Sequence, residues 1–134
     1  MEPFNPTILT RRTTADFSSS EYLMVRSNGD DDLALADDPS FTGEPILGAL
    51  TNDVADGSAG VAKYLPVQIG GIIKIKCRAH STGAIVAGQP VMCHSDGTAM
   101  LATTGNWIIG YALETTVLSQ VGTFQYAPCF YEQG

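Results

Sequence analysis

Cys77, His80, Cys93 and His94 are the residues whose types come nearest to a metal site, as a Cys-x2-His and a Cys-His pair. Zinc needs ligands that converge on one point, and adjacent strand residues such as Cys93 and His94 point to opposite faces. Cysteine also behaves as a small buried hydrophobe, so Cys93, in step with Val91, is expected in the core. Asp30, Asp31, Asp32, Asp37 and Asp38 offer hard oxygen ligands, yet they lack the glycine at position six and the glutamate at position twelve of a calcium loop. A solvated acidic loop that keeps sheet edges from pairing wrongly is the expected role. Neither Gly57-Ser58-Ala59-Gly60 nor Ser81-Thr82-Gly83 fits a nucleophile turn, and two histidines are the whole supply of candidate bases. Gly70, Gly71, Gly83, Gly88 and Gly97 do not fall into a phosphate-binding pattern. The expectation is a protein without catalytic, metal-binding or cofactor-binding residues, working by binding other proteins.

Lys74, Lys76 and Arg78 alternate with Ile73, Ile75 and Cys77, which places three of the seven basic side chains on one strand face. That face is either ordinary solvated surface or an electrostatic dock for an acidic partner or a neighbouring subunit. The opening residues, 1–20, carry two prolines, two arginines and a Ser triplet. They read as an arm, either unstructured or docking, with Thr7, Ile8, Leu9, Thr10, Arg11 and Arg12 as its extended part. Such a run suits strand addition to a neighbour's sheet edge.

The elements that must carry these residues are strands. From Glu21 onward, short β-branched or aromatic runs recur between turn residues, and no apolar pattern of helical period is sustained. The expected fold is all-β: one domain over 21–134, preceded by the arm. Asn28-Gly29 and Asp96-Gly97 supply hairpin turns. The likeness of YLMVRSNGDDDLAL to QPVMCHSDGTAMLA hints at two similar hairpin units. Over Lys63 to Arg78, a loop Ile69-Gly70-Gly71 would pair Val67 with Ile73 and Leu65 with Ile75, leaving Tyr64, Lys74 and Lys76 outside. Pro66 cannot donate to a ladder, which predicts an edge or a bulge there. Further strands are expected at Pro45 to Leu50, Trp107 to Leu113 and Thr123 to Tyr131, the last carrying an aromatic stripe of Phe124, Tyr126 and Phe130.

The 134 residues fit one domain, and the hydrophobic fraction of 44% supports a core. Only 16% of residues are charged, which leaves a surface rich in Ser, Thr and Gly. A net charge of -7 opposes binding to phosphate backbones, so nucleic acid is not an expected partner. No apolar run approaches the ~18 residues of a membrane span, so no membrane partner is expected either. Three cysteines cannot all pair within one chain, and a reducing cytoplasm is the simpler context.

Three strings in order, Gly83-Ala84-Ile85-Val86-Ala87-Gly88-Gln89-Pro90-Val91, Ser95-Asp96-Gly97-Thr98-Ala99 and Gly105-Asn106-Trp107-Ile108-Ile109-Gly110-Tyr111-Ala112-Leu113-Glu114, resemble the bacteriophage head decoration, or capsid cement, proteins. The resemblance covers roughly Lys63 to Phe130. It implies a β-tulip or β-barrel-like body, homotrimeric, on the outer capsid surface of the virion. Its partner there is the major capsid protein, at three-fold or pseudo-three-fold sites of an expanded HK97-type head, which the protein stabilises. Two rival modules compete. A lipoyl- or biotinyl-like carrier needs a lysine at the hairpin tip, where this chain has Ser95-Asp96-Gly97. A small glycan-binding or tail accessory domain needs exposed aromatics, for which Tyr64, Trp107 and Tyr131 are the candidates.

Overall fold

The computed structural model describes residues 7–27, 32–40, 45–51, 62–78 and 84–131. Ten strands lie among the described residues: β1 Thr7–Thr13, β2 Met24–Ser27, β3 Leu33–Leu35, β4 Ile46–Leu50, β5 Lys63–Gly70, β6 Ile72–Lys76, β7 Pro90–Cys93, β8 Ala99–Leu101, β9 Asn106–Ala112 and β10 Val121–Tyr131. They form two five-stranded antiparallel sheets, in the orders β1-β5-β4-β2-β3 and β6-β10-β9-β7-β8. The fold is all-β, with no helix among the described residues.

The second order is the first with every strand number raised by five, and the correspondence holds residue by residue. Val25 faces Gly48 as Val91 faces Gly110, and Val25 faces Leu35 as Val91 faces Leu101. Ala49 faces Gln68 as Tyr111 faces Gln125. Ile8 faces Gln68 as Ile72 faces Gln125. Hydrogen bonds outside the ladders repeat as well. Leu50 N–H donates to Leu23 O as Ala112 N–H does to Gln89 O, both at 2.9 Å. Ala36 N–H donates to Met24 O as Ala102 N–H does to Pro90 O, both at 3.0 Å. The chain is two copies of one five-strand unit, and the likeness of the two hairpins extends to all five strands. Both units need a glycine at the same place: a Cβ on Gly48 would meet the Gln68 carbonyl oxygen, and one on Gly110 the Gln125 carbonyl oxygen.

Each unit curls until its edges meet. In the first, the Thr14 N–H and hydroxyl both donate to the Asp32 carboxylate, at 3.0 and 2.9 Å, joining the end of β1 to the start of β3. In the second, Cys77 bridges to Ala99 and Arg78 N–H donates to Ala99 O at 3.0 Å, joining the end of β6 to β8. The inner face of the first unit packs Val25, Leu33, Leu50, Leu65 and Val67 around Phe17. The inner face of the second holds Ile73, Ile75, Val91, Ala99, Ala112 and Phe124, and is closed by Met24, Ile46 and Ala49 from the first unit. Volumes compensate between the copies. Leu33, Leu50 and Leu65 become Ala99, Ala112 and Gly122, while Val67 becomes Phe124, whose ring takes the vacated space.

The strands β4, β9 and β10 lie within two residues of their expected ends, and both hairpins form. The Asn28-Gly29 turn and the expected loop over Asn52 to Gly60 lie outside the described residues. Gly97 has φ 83, as the Asp96-Gly97 turn requires. The segment Lys63 to Arg78 is a correction. β5 and β6 do not pair, and Gly71, at φ 67, is a corner that passes the chain from one sheet to the other. The inward and outward assignments still hold, since Ile73 and Ile75 are buried while Tyr64, Lys74 and Lys76 are exposed. A corner wins because Leu65 and Val67 belong to the first core and Ile73 and Ile75 to the second. Pro66 faces Thr10 of β1, beyond the β4 ladder, which ends at Leu50 opposite Val67. The aromatic stripe is broken too. Phe124 and Tyr126 follow it, but a bulge between Tyr126 and Cys129 shifts the register and stands Phe130 against Trp107.

Candidate functional site

The two basic segments singled out in the sequence prove to be the same position in the two units. β1 is the first strand of one and β6 the first strand of the other, so Thr10 and Arg12 correspond to Lys74 and Lys76. Thr7, Ile8, Thr10 and Arg12 are exposed, while Leu9 and Arg11 are half-buried. The strand pairs with β5 along its whole length and has no ladder partner on its other side among the described residues. Thr7 to Arg12, expected within an arm reaching to a neighbour, therefore sits on the chain's own sheet. The buried Phe17 that follows fills the first core. Residues 1–6 lie outside the described residues.

On β6, the outer edge is occupied. The Lys74 N–H donates to Gln68 Oε1 at 3.0 Å, and Gln68 Nε2 donates to Lys74 O at 3.1 Å and Leu50 O at 3.0 Å. Lys76 N–H donates to Tyr22 O at 2.9 Å. The buried Gln68 amide thus acts as a surrogate peptide group that ties the two units together. Main-chain strand addition at β6 is blocked, but the Lys74 and Lys76 side chains remain exposed. Arg78 is half-buried beyond the strand end.

Those lysines flank a wider surface. By register, Lys74 lies beside Thr123, Lys76 beside Val121, Gln125 beside Tyr111, and Tyr111 beside Pro90. Tyr111 is 37% exposed, Val121 40% and Leu113, just past β9, 46%. Thr123 donates to Glu114 Oε1 at 3.0 Å on the same face. In the string Gly110-Tyr111-Ala112-Leu113, packing dictates Gly110, held against the Gln125 backbone, and the buried Ala112. It does not dictate Tyr111 or Leu113. Of the large exposed hydrophobics, Ile8 and Tyr64 belong to the first unit, whereas Val86, Leu101, Tyr111, Leu113, Val117 and Val121 belong to the second. Charge divides the same way: eleven of the fourteen acids precede residue 58, while the remainder of the chain carries three acids and four bases.

The groups with chemical potential are used structurally. His94 Nδ1 lies 3.2 Å from Asp96 Oδ1 and 3.3 Å from Ser95 Oγ, so both neighbours meet the same ring nitrogen. A general base needs its orienting carboxylate and its nucleophile on opposite nitrogens, so the three residues do not form a triad. Asp96 instead holds the hairpin turn by accepting from the Thr98 N–H at 3.1 Å and the Thr98 hydroxyl at 2.6 Å. Partial burial pushes its carboxyl up, but these bonds and His94 outweigh it and hold it below the ordinary carboxylate range. Burial pushes the Cys77 thiol up to about 11 and the Cys93 thiol up to about 12, so both are poor nucleophiles and poor ligands at neutral pH. His80, Asp30 and Asp31 lie outside the described residues. Asp37 pairs with Arg26 at 3.2 Å, beside a shallow recess of about 380 Å³ that Asp16, Asp32 and Leu35 also line. The aromatics proposed for a sugar platform are dispersed. Tyr64 is on the first sheet, and Trp107 and Tyr131 occupy successive rungs of the β9–β10 ladder, so their side chains point to opposite sides.

Sequence reasoning did not single out Phe17, Gln68 or the Tyr111–Leu113 surface. The parallel between Ile46-Leu47-Gly48-Ala49-Leu50 and Ile108-Ile109-Gly110-Tyr111-Ala112 carried a usable signal for the last, since it marks one strand position with different residues at its outward site.

No family model matches the chain, and no curated protein matches it. Among solved structures, it is similar to the crystal structure of the head fiber gp8.5 N base in bacteriophage phi29, with a TM-score of 0.63 and 18% identity. The likeness covers 92% of this chain and 95% of that one. At that identity the likeness speaks for the fold, and the chain shares nearly its whole two-sheet architecture with the phi29 head fiber base.

Proposed function

We propose that this chain is a structural, non-enzymatic protein of a phage head, borne on the outside of the virion. The observation that carries the reading is the shared architecture with a head fiber base over 92% of the chain. The three strings resembling head decoration proteins support it independently, because they all fall in the second unit. In the finer form of the proposal, the chain is a decoration or cement protein. It assembles as a homotrimer at three-fold or pseudo-three-fold sites, binds the major capsid protein of an expanded head and stabilises it. A ligand that binds only the expanded state stabilises that state by mass action, and several weak contacts on one oligomer add as avidity.

The proposed contact surfaces are the outer edge of β1, with Thr7, Ile8, Thr10 and Arg12 exposed and Leu9 and Arg11 behind them, and the Lys74, Lys76 and Arg78 flank. Removing residues 1–20 would also remove β1 and Phe17 from the fold, so point substitutions are the cleaner probe. Co-sedimentation with purified empty heads tests the function. The chain is expected to pellet with expanded heads and stay in solution with unexpanded ones, and Arg12→Glu with Lys76→Glu is expected to weaken pelleting. No pelleting of the unaltered chain with either form would sink the proposal.

A further inference from the structure

The two units expose opposite halves of one pattern. In the first, the outer face of β2, β4 and β5, at Met24, Ala49 and Gln68, is buried against the second unit, and the Gln68 amide takes the Lys74 peptide N–H and C=O. The equivalent positions of the second unit are Pro90, Tyr111 and Gln125. Gln125 and Tyr111 are exposed there, and among the described residues the Gln125 amide makes one bond, at 3.3 Å, from Nε2 to Gly71 O. A face that the fold buries in one copy is thus open in the other, with Tyr111, Leu113 and Val121 as its apolar part and Lys74 and Lys76 as its flank.

We propose that this outer face docks a second copy of the chain, head to tail, against the β3 edge of the first unit. The β3 strand has no ladder partner on its outer side among the described residues, although the end of β1 clasps its start, Thr14 at Asp32 and the Thr13 hydroxyl at Leu33 O; Asp37, paired with Arg26, and Asp38 follow it. It is an extended edge of the kind Gln68 already recognises within the chain. Charge decides the pairing: Lys74 and Lys76 meet three carboxylates against the single Arg26 at β3, whereas the β1 edge would oppose them with Arg11 and Arg12. A head-to-tail contact closes into a ring if the rotation allows, which gives the oligomer proposed above a specific interface. Gln125 is the positioning residue, its side-chain amide taking main-chain groups of β3 while the aliphatic side chains exclude water.

This rests on the proposal of an oligomer and not on binding to heads, so light scattering of the purified full chain tests it separately from co-sedimentation. The unaltered chain is expected to be oligomeric. Lys74→Glu with Lys76→Glu, and separately Asp37→Lys with Asp38→Lys, are expected to give monomers, and the four changes together to restore the oligomer. Gln125→Ala is expected to weaken association about tenfold with an unchanged melting temperature, which covers the case of a charge variant that folds poorly. An unaltered chain that is monomeric, or an oligomer indifferent to both reversals and to Gln125→Ala, would overturn the inference.

Discussion

The two units have one topology and one register, yet their outer faces meet different fates. In the first, Met24, Ala49 and Gln68 are sealed beneath the neighbouring unit. In the second, Tyr111 and Gln125 are exposed and Pro90 is half-buried, with lysines on the flank. The difference lies in side-chain size and charge on an unchanged backbone. Alanine stands where the partner unit presses close, and tyrosine where the side chain is 37% exposed. The inner faces changed in concert, trading three leucines for two alanines and a glycine and one valine for a phenylalanine. A repeated unit can thus keep one copy as scaffold and free the other for contacts.

Exchanging the outward residues should break the comparison most severely. Ala49→Tyr forces a phenol ring into a fully buried site and is expected to cost upward of about 3 kcal/mol, or to prevent folding. Tyr111→Ala, the reciprocal change, is expected to alter stability by less than about 1 kcal/mol in urea unfolding, because the ring is partly in water. Equal losses would mean that the second outer face is covered within the chain.

The glutamines should separate in the same direction by a smaller margin. Gln68→Leu leaves Lys74 N–H, Lys74 O and Leu50 O without their partner and is expected to cost about 2 kcal/mol. Gln125→Leu is expected to leave unfolding nearly unchanged. Amide exchange sharpens the test, since Gln68→Leu should speed exchange at Lys74 specifically.

The smallest expected effect is on pH. At Asp32, partial burial raises the carboxyl but is outweighed by hydrogen bonds from Thr14, Leu33 and Thr13, which hold it below the ordinary range. A carboxyl that binds protons less tightly when folded contributes stability above its unfolded value of about 3.9 and loses it as pH falls through the lower folded value. The melting temperature should therefore fall on acidification below about pH 4. Asp32→Asn should flatten that fall, and an unchanged acid profile would count against the clasp between β1 and β3.

Much of this was legible beforehand. Alternation of Ile73 and Ile75 with Lys74 and Lys76, the Asp96-Gly97 turn and the β9 run follow from local rules of period and turn chemistry. The Gly71 corner was not legible, because a hairpin and a sheet-to-sheet corner bury the same faces of β5 and β6. Only the long-range choice between two cores distinguishes them. Phe17 was hidden by its setting in a polar, Ser-rich stretch, where one aromatic carries no periodicity. The bulge between Tyr126 and Cys129 moved Phe130 off its stripe, since one inserted residue reverses every later side chain. The exposed face was partly visible, as Lys74 and Lys76, but Tyr111 and Leu113 read as ordinary strand hydrophobics until their equivalents Ala49 and Thr51 could be set beside them.

Oxidative footprinting of the chain, free and bound to expanded heads, tests the central claim most directly, because two exposed tyrosines lie one on each unit. Tyr111 is expected to be strongly protected in the bound, assembled form, and more strongly than Tyr64, 67% exposed, which lies opposite Arg12 beside the β1 surface. A chain that does not bind, or that binds with Tyr111 oxidised as fast as in solution, would contradict it.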